Sequence, residues 1–133
     1  EDEEVKEVTD RSYWEQQGSK ETVKLADEVV ELIRDINSNI DIKYNKYYIG
    51  LTDGGQPKNF TRFRAKKQYL RMEIRLDKSD EIEDKLEDSN LDLMDYDSKH
   101  GRYRIRLMKK DNIEDNKELI KDVLKMAYNQ WIS

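Results

Sequence analysis

From Tyr69 to Leu76 the chain alternates without a break. Leu70, Met72, Ile74 and Leu76 take one parity, and Tyr69, Arg71, Glu73 and Arg75 take the other. Residues 102–107 repeat the pattern, with Tyr103, Ile105 and Leu107 set between Arg102, Arg104 and Arg106. A period of two belongs to an extended strand. When only every second residue is apolar, one face of the sheet is covered and the other is not. These segments must therefore lie in a half-covered sheet whose second face carries guanidinium groups.

Other elements follow from punctuation and period. Asp10 is placed to cap a short helix bearing Tyr13 and Trp14 that ends near Gly18. Ser19 caps a longer helix reaching about Asn37, with Thr22, Leu25, Ala26, Val29, Ile33 and Ile36 at helical spacing. Ile40, Ile42 and Tyr44 read as a strand. The apolar parity then flips to Tyr47, Ile49 and Leu51, which calls for a tight turn or a bulge after Asn45-Lys46. Asp53-Gly54-Gly55 signals a hairpin, with Pro57 in its loop. Residues 59–66 and 69–76 form a further strand pair. Ser79 or Asp80 opens an acidic helix to about Ser89, where Glu83 can close a capping box with Asp80. One more strand covers 102–109. Asp111 and Glu114 are expected to form a capping box at the start of a single last helix, whose inner face carries Ile113, Ile120, Val123, Leu124, Ala127 and Trp131.

The expectation is an α+β domain over residues 10–133: an antiparallel sheet of four to five strands, with helices packed on one face. Residues 1–9 are expected to be a flexible acidic tail. At 133 residues there is room for one core, burying roughly two-thirds of the unfolded surface. Charged residues reach 41%, but the apolar positions fall where a core needs them.

The net charge of −5 conceals segregation by element. Residues 58–76 hold Lys58, Arg62, Arg64, Lys66, Lys67, Arg71 and Arg75 against Glu73 alone. Residues 77–97 hold ten carboxylates against Lys78 and Lys85, and residues 98–110 contain no acid. The basic stretches coincide with strands.

Several classes of chemistry are disfavoured. The chain has no cysteine, which removes disulfides and thiolate chemistry. The longest apolar run, Tyr47-Tyr48-Ile49 leading through Gly50 to Leu51, is far short of the roughly 20 residues a spanning helix needs, so no membrane insertion is expected. The acidic start is neither a signal nor a transit peptide. A cytoplasmic domain cut from a longer chain is expected. No phosphate-binding glycine loop or nucleophile elbow occurs, and histidine acid–base work would rest on His100 alone. Asp95, Asp97 and His100 are the one grouping with metal-ligand chemistry, yet their spacing fits a turn better. Neither cofactor nor metal is expected. Glu73 near Lys66 or Arg71 is the nearest approach to a nuclease-like constellation, and a charge-balancing glutamate explains it more simply.

The opening Asp10-Arg11-Ser12-Tyr13-Trp14-Glu15, the stretch Lys43-Tyr44-Asn45-Lys46-Tyr47-Tyr48-Ile49-Gly50-Leu51, the strand Leu70-Arg71-Met72-Glu73-Ile74-Arg75-Leu76 and Gly101-Arg102-Tyr103-Arg104-Ile105-Arg106-Leu107 occur together. In this order they resemble a bacterial family of uncharacterised domains labelled "predicted transport protein". The resemblance covers nearly the whole chain from about residue 9. It implies the C-terminal part of a longer, sometimes nuclease-like, protein, and it supplies no catalytic residues. The transport label conflicts with the absence of any spanning segment.

The candidate site is the basic sheet face. Arg62, Arg64, Arg71, Arg75, Arg102, Arg104 and Arg106 would meet phosphates, since the planar guanidinium fork donates two hydrogen bonds at once. Tyr69 and Phe60, both assigned to that face, would stack. The expected function is a non-catalytic binding or accessory domain contacting nucleic acid or another polyanion. The alternative is a protein–protein interaction domain, docking a neighbouring domain of its parent chain, whose surface is neutralised by its own acidic helix or tail. Tyr13, Trp14, Tyr128 and Trp131 are expected to serve core packing between the terminal segments.

Overall fold

The computed structural model describes residues 8–133, so most of the expected acidic tail lies outside the described residues. Helix α1 (Arg11–Gln17) begins where the Asp10 carboxylate accepts the Tyr13 amide at 2.9 Å. It ends at Gly18, which lies against β4; a Cβ there would fall 2.7 Å from Cβ of Ala65. Helix α2 (Lys20–Arg34) opens with a reciprocal Ser19–Thr22 box, and the Thr22 hydroxyl also donates to the Lys66 carbonyl at 2.8 Å. That bond fixes α2 to the end of β4. The helix stops short of Asn37, whose side chain is used elsewhere: its Nδ2 donates to Asp53 and to the Tyr128 hydroxyl, each at 2.9 Å.

Strands β1 (Ile40–Tyr44) and β2 (Ile49–Asp53) pair antiparallel about a turn at 45–48, so the parity flip marks a turn. Gly54 and Gly55 both have positive φ, as a two-residue hairpin requires, and lead into β3 (Gln56–Pro57). Pro57 therefore sits in a two-residue strand beside β2 and not in a loop. Strands β4 (Thr61–Ala65) and β5 (Leu70–Arg75) follow. Helix α3 (Asp80–Glu87) is capped by Ser79, whose hydroxyl accepts the Ile82 amide; this replaces the box expected from Asp80. Strands β6 (Asp92–Leu93) and β7 (Arg102–Leu107) complete the sheet.

The last helix is two helices, α4 (Lys110–Glu114) and α5 (Lys117–Ile132). The expected Asp111–Glu114 box is displaced because Asn112 Oδ1 accepts the Met108 and Lys109 amides, moving the N-cap to Lys109 and starting the helix two residues earlier. Asn116 marks the break, donating to the Asn112 carbonyl and to Asn90.

All strand pairs are antiparallel, in the order β1-β2-β4-β5-β7-β6 with β3 beside β2. The sheet has seven strands, larger than expected by the two-residue β3 and β6. Phe63, Leu70, Met72, Ile74, Ile105 and Leu107 project from its central strands into the core, where α2 and α5 supply Val29, Val30, Ile33, Ile120 and Leu124. Burying each such side chain contributes roughly 1.5–3 kcal/mol. Strand alternation then compels the intervening residues onto the opposite face.

Candidate functional site

Register places the arginines in three rows across the central strands. Arg64, Arg71 and Arg106 stand directly opposite one another on β4, β5 and β7. Arg62, Glu73 and Arg104 form the next row, and Arg75 faces Arg102 in the third. The seven guanidinium-bearing positions expected from sequence are thus brought together on one side of the sheet.

Glu73 is the hub. It is only 3% exposed, covered by the arginines themselves. Arg62 Nε donates to its Oε1 at 2.7 Å, Arg71 Nε lies 2.8 Å from its Oε2, and Arg102 Nη1 is 3.9 Å from Oε1. These three arginine side chains are themselves just 16–17% exposed. Burial would push the Glu73 carboxyl up, but the Arg62 hydrogen bond and the charges of Arg71, Arg62 and Arg64 hold it below the usual carboxylate range. With both oxygens engaged and the group held ionised, Glu73 is built as a counter-ion. It is poorly suited to shuttle protons for a nuclease.

The outer arginines have different partners. Arg106 donates to Asp92 at 3.1 Å and rests on the Tyr69 ring, 5.5 Å from its centroid. The Tyr69 hydroxyl, then Asp92, raise the Arg106 pKa. Arg104 turns from Glu73 to the Asp95 carbonyl, which accepts from its Nε and Nη2 at 3.0 and 2.8 Å. Arg75 lies over the Trp131 ring at 5.8 Å, and Arg62 covers Tyr48 at 4.7 Å. Each such cation–ring contact stabilises by about 0.5–2 kcal/mol.

Arg64 is the exception. Among the described residues no carboxylate lies within ion-pair distance of it, and its buried Nε has no hydrogen-bond partner. Arg71 Nε, although close to Glu73, also lacks an aligned hydrogen bond. Burial lowers the Arg64 pKa; Glu73 opposes this, and the neighbouring Arg71 and Arg62 add to it. Arg102 is likewise lowered, by burial and then by Arg62, with Glu73 and Asp97 opposing. A buried, unsatisfied donor costs about 1–3 kcal/mol, and like charges directly opposite across strands add to that.

Arg64 lines a cleft of about 300 Å³ with Lys46, Tyr47, Lys66, Tyr13, Trp14 and Gln17. Trp14 Nε1 donates to the Asn45 carbonyl at 2.8 Å and the Tyr13 hydroxyl to that of Lys46 at 3.0 Å, so α1 and the β1–β2 turn form one wall. Tyr47 stands 69% exposed at its mouth. Lys46, Tyr47 and Lys66 meet only in three dimensions, since no periodicity relates the β1–β2 turn to the end of β4.

Phe60 corrects the sequence assignment. It is fully buried, edge-on to Tyr128 at 5.2 Å, because β4 begins at Thr61 and Phe60 falls outside its alternation. Tyr69 does reach the arginine face. Neutralisation by the acidic helix also fails: the ion pairs of α3 join Glu83 to Lys78 and Glu81 to Lys85, and among the described residues none reaches the seven arginines. Asp97 closes a turn, accepting the His100 amide at 3.2 Å and lying 2.9 Å from the His100 ring. Among the described residues no three histidine or acidic side chains converge as a metal site would require. Tyr13 and Trp14 pack at the β1–β2 turn, whereas Tyr128 and Trp131 meet Phe60 and Arg75. No helix among the described residues is long and apolar enough to cross a membrane.

Fold and face together define an antiparallel α+β domain with one helix-covered sheet face and one arginine-lined one. Comparison with protein-family models, curated proteins and solved structures found no match.

Proposed function

We propose that the domain is a non-catalytic binding module of a larger bacterial protein, whose arginine face takes a polyanion, with nucleic acid as the ligand class. One observation carries this reading: seven guanidiniums share a sheet face with two carboxylates, Glu73 and Asp92, in ion-pair contact with them among the described residues. Phosphate oxygens supply the missing acceptors, and arginine binds them through paired, charge-assisted hydrogen bonds. The aromatic rings beneath Arg62, Arg75 and Arg106 hold the guanidiniums in place.

Titration of labelled oligonucleotides at several salt concentrations tests the proposal. Affinity should fall steeply as salt rises, with a slope reflecting several phosphate contacts. Absence of binding at low salt would overturn it. The interaction-module reading draws support from the Glu73 hub, which consumes Arg62, Arg71 and Arg102 internally. On that reading oligonucleotides do not bind and a neighbouring domain of the parent chain does.

A further inference from the structure

The geometry points to a subsite for single-stranded nucleic acid in the cleft between α1, the β1–β2 turn and the end of β4, where Arg64 and Lys66 take a phosphate and Tyr47 stacks the adjoining base. This rests on the polyanion reading and narrows it to one substrate class and one place on the face.

Three observations converge there. Arg64, like Arg71, has a buried Nε–H without a hydrogen-bond partner, but unlike Arg71 it has no carboxylate within ion-pair distance among the described residues, so this end of the face holds a cation in need of an anion. The cleft is about 300 Å³ and is lined by Arg64 and Lys66, so an entering group meets positive charge from β4 and from the residue that follows it. Tyr47 is a large aromatic left exposed beside that charge, whereas Tyr48 and Tyr69 are already covered by Arg62 and Arg106. Lys46 approaches the Tyr47 ring at 5.6 Å, a contact that an incoming base can share or displace.

The shape selects between strand types. A duplex keeps its bases stacked inside a convex rod, so only its backbone reaches a protein surface unless the protein enters a groove. A single strand can place one phosphate in a cleft and turn the next base onto an exposed ring, and such stacking is tolerant of sequence. A ring at the mouth of a basic cleft is therefore a single-strand device. The remaining row, Arg71 and Arg106, continues the phosphate track across β5 and β7.

Fluorescence anisotropy with a labelled oligothymidylate and a duplex of matched length, at low salt, tests the subsite. The wild-type protein should prefer the single strand. Tyr47→Ala should weaken single-strand binding by about 5- to 150-fold, the range of one lost base stack, and leave duplex binding unchanged. Tyr47→Phe should retain affinity. Because Tyr47 is exposed, thermal melting of these variants should match the wild type. If both strand types bind equally, or if Tyr47→Ala binds the single strand like wild type, the subsite is wrong while the polyanion reading stands. If neither oligonucleotide binds, both readings fall.

Discussion

The two ends of the arginine face obey the same alternation and reach opposite electrostatic outcomes. Around Glu73, three guanidiniums close over one carboxylate, and all four side chains are largely removed from water. At the β4 end, Arg64 stands in a row of three arginines and its buried Nε has no acceptor. Both regions keep charge in a low-dielectric layer, but one has a carboxylate within ion-pair distance of its guanidiniums and Arg64 does not. A buried carboxylate shared by three guanidiniums holds them in a single geometry. A buried cation without an anion beside it lowers stability. The difference between the regions is the presence of one residue, Glu73, at the centre of β5.

The largest expected effect follows from removing that residue. Glu73→Ala leaves Arg62, Arg71 and Arg102 without their shared counter-charge and should cost about 3–5 kcal/mol in denaturant unfolding. Glu73→Gln keeps the shape and should recover part of the loss. If Glu73→Ala unfolds like wild type, the contrast between the two regions disappears.

Acid titration sharpens the same point. The folded Glu73 pKa lies below its ordinary value, so its contribution is present above the unfolded glutamate range, near pH 4.3, and is lost as the pH falls through the folded value. Stability measured over that window should decline in the wild type and be flatter in Glu73→Gln. Equal acid limbs in the two proteins would contradict the assignment.

A smaller effect is expected in the third row, where Arg75 faces Arg102. Arg75→Ala removes an exposed guanidinium resting on Trp131 and should cost under about 1 kcal/mol, because the contact is solvent-facing. Polyanion affinity at low salt should drop modestly, with the salt slope reduced by about one contact. An unchanged slope would remove Arg75 from the interface.

The alternation of β5 and β7 carried most of what could be read from sequence. It placed Arg71, Arg75, Arg102, Arg104 and Arg106 on one face, and the strand pairing brought Arg62 and Arg64 beside them. Burial inverts what a list of charges suggests: Glu73 reads as one acid among many cations and is in fact the buried centre. Short-range pattern also misled at Phe60, because the strand starts at Thr61, two residues later than the expected residue 59. Strand β6 is too short to show a period, so the pairing of Asp92 with Arg106 was invisible. The cleft at Arg64 depends on Gly18, Trp14 and the 45–48 turn meeting in space, which no local spacing encodes.

The unfolding free energy of Arg64→Met without ligand tests the central claim most directly. Methionine keeps a long unbranched stem and removes both the charge and the orphaned Nε–H. The account predicts a variant more stable than wild type by about 1 kcal/mol, through relief of an unsatisfied donor in a row of like charges, and weaker in binding oligonucleotide. A variant as destabilised as Glu73→Gln would mean that Arg64 already has its counter-charge within the fold, and the contrast between the two ends of the face would be wrong.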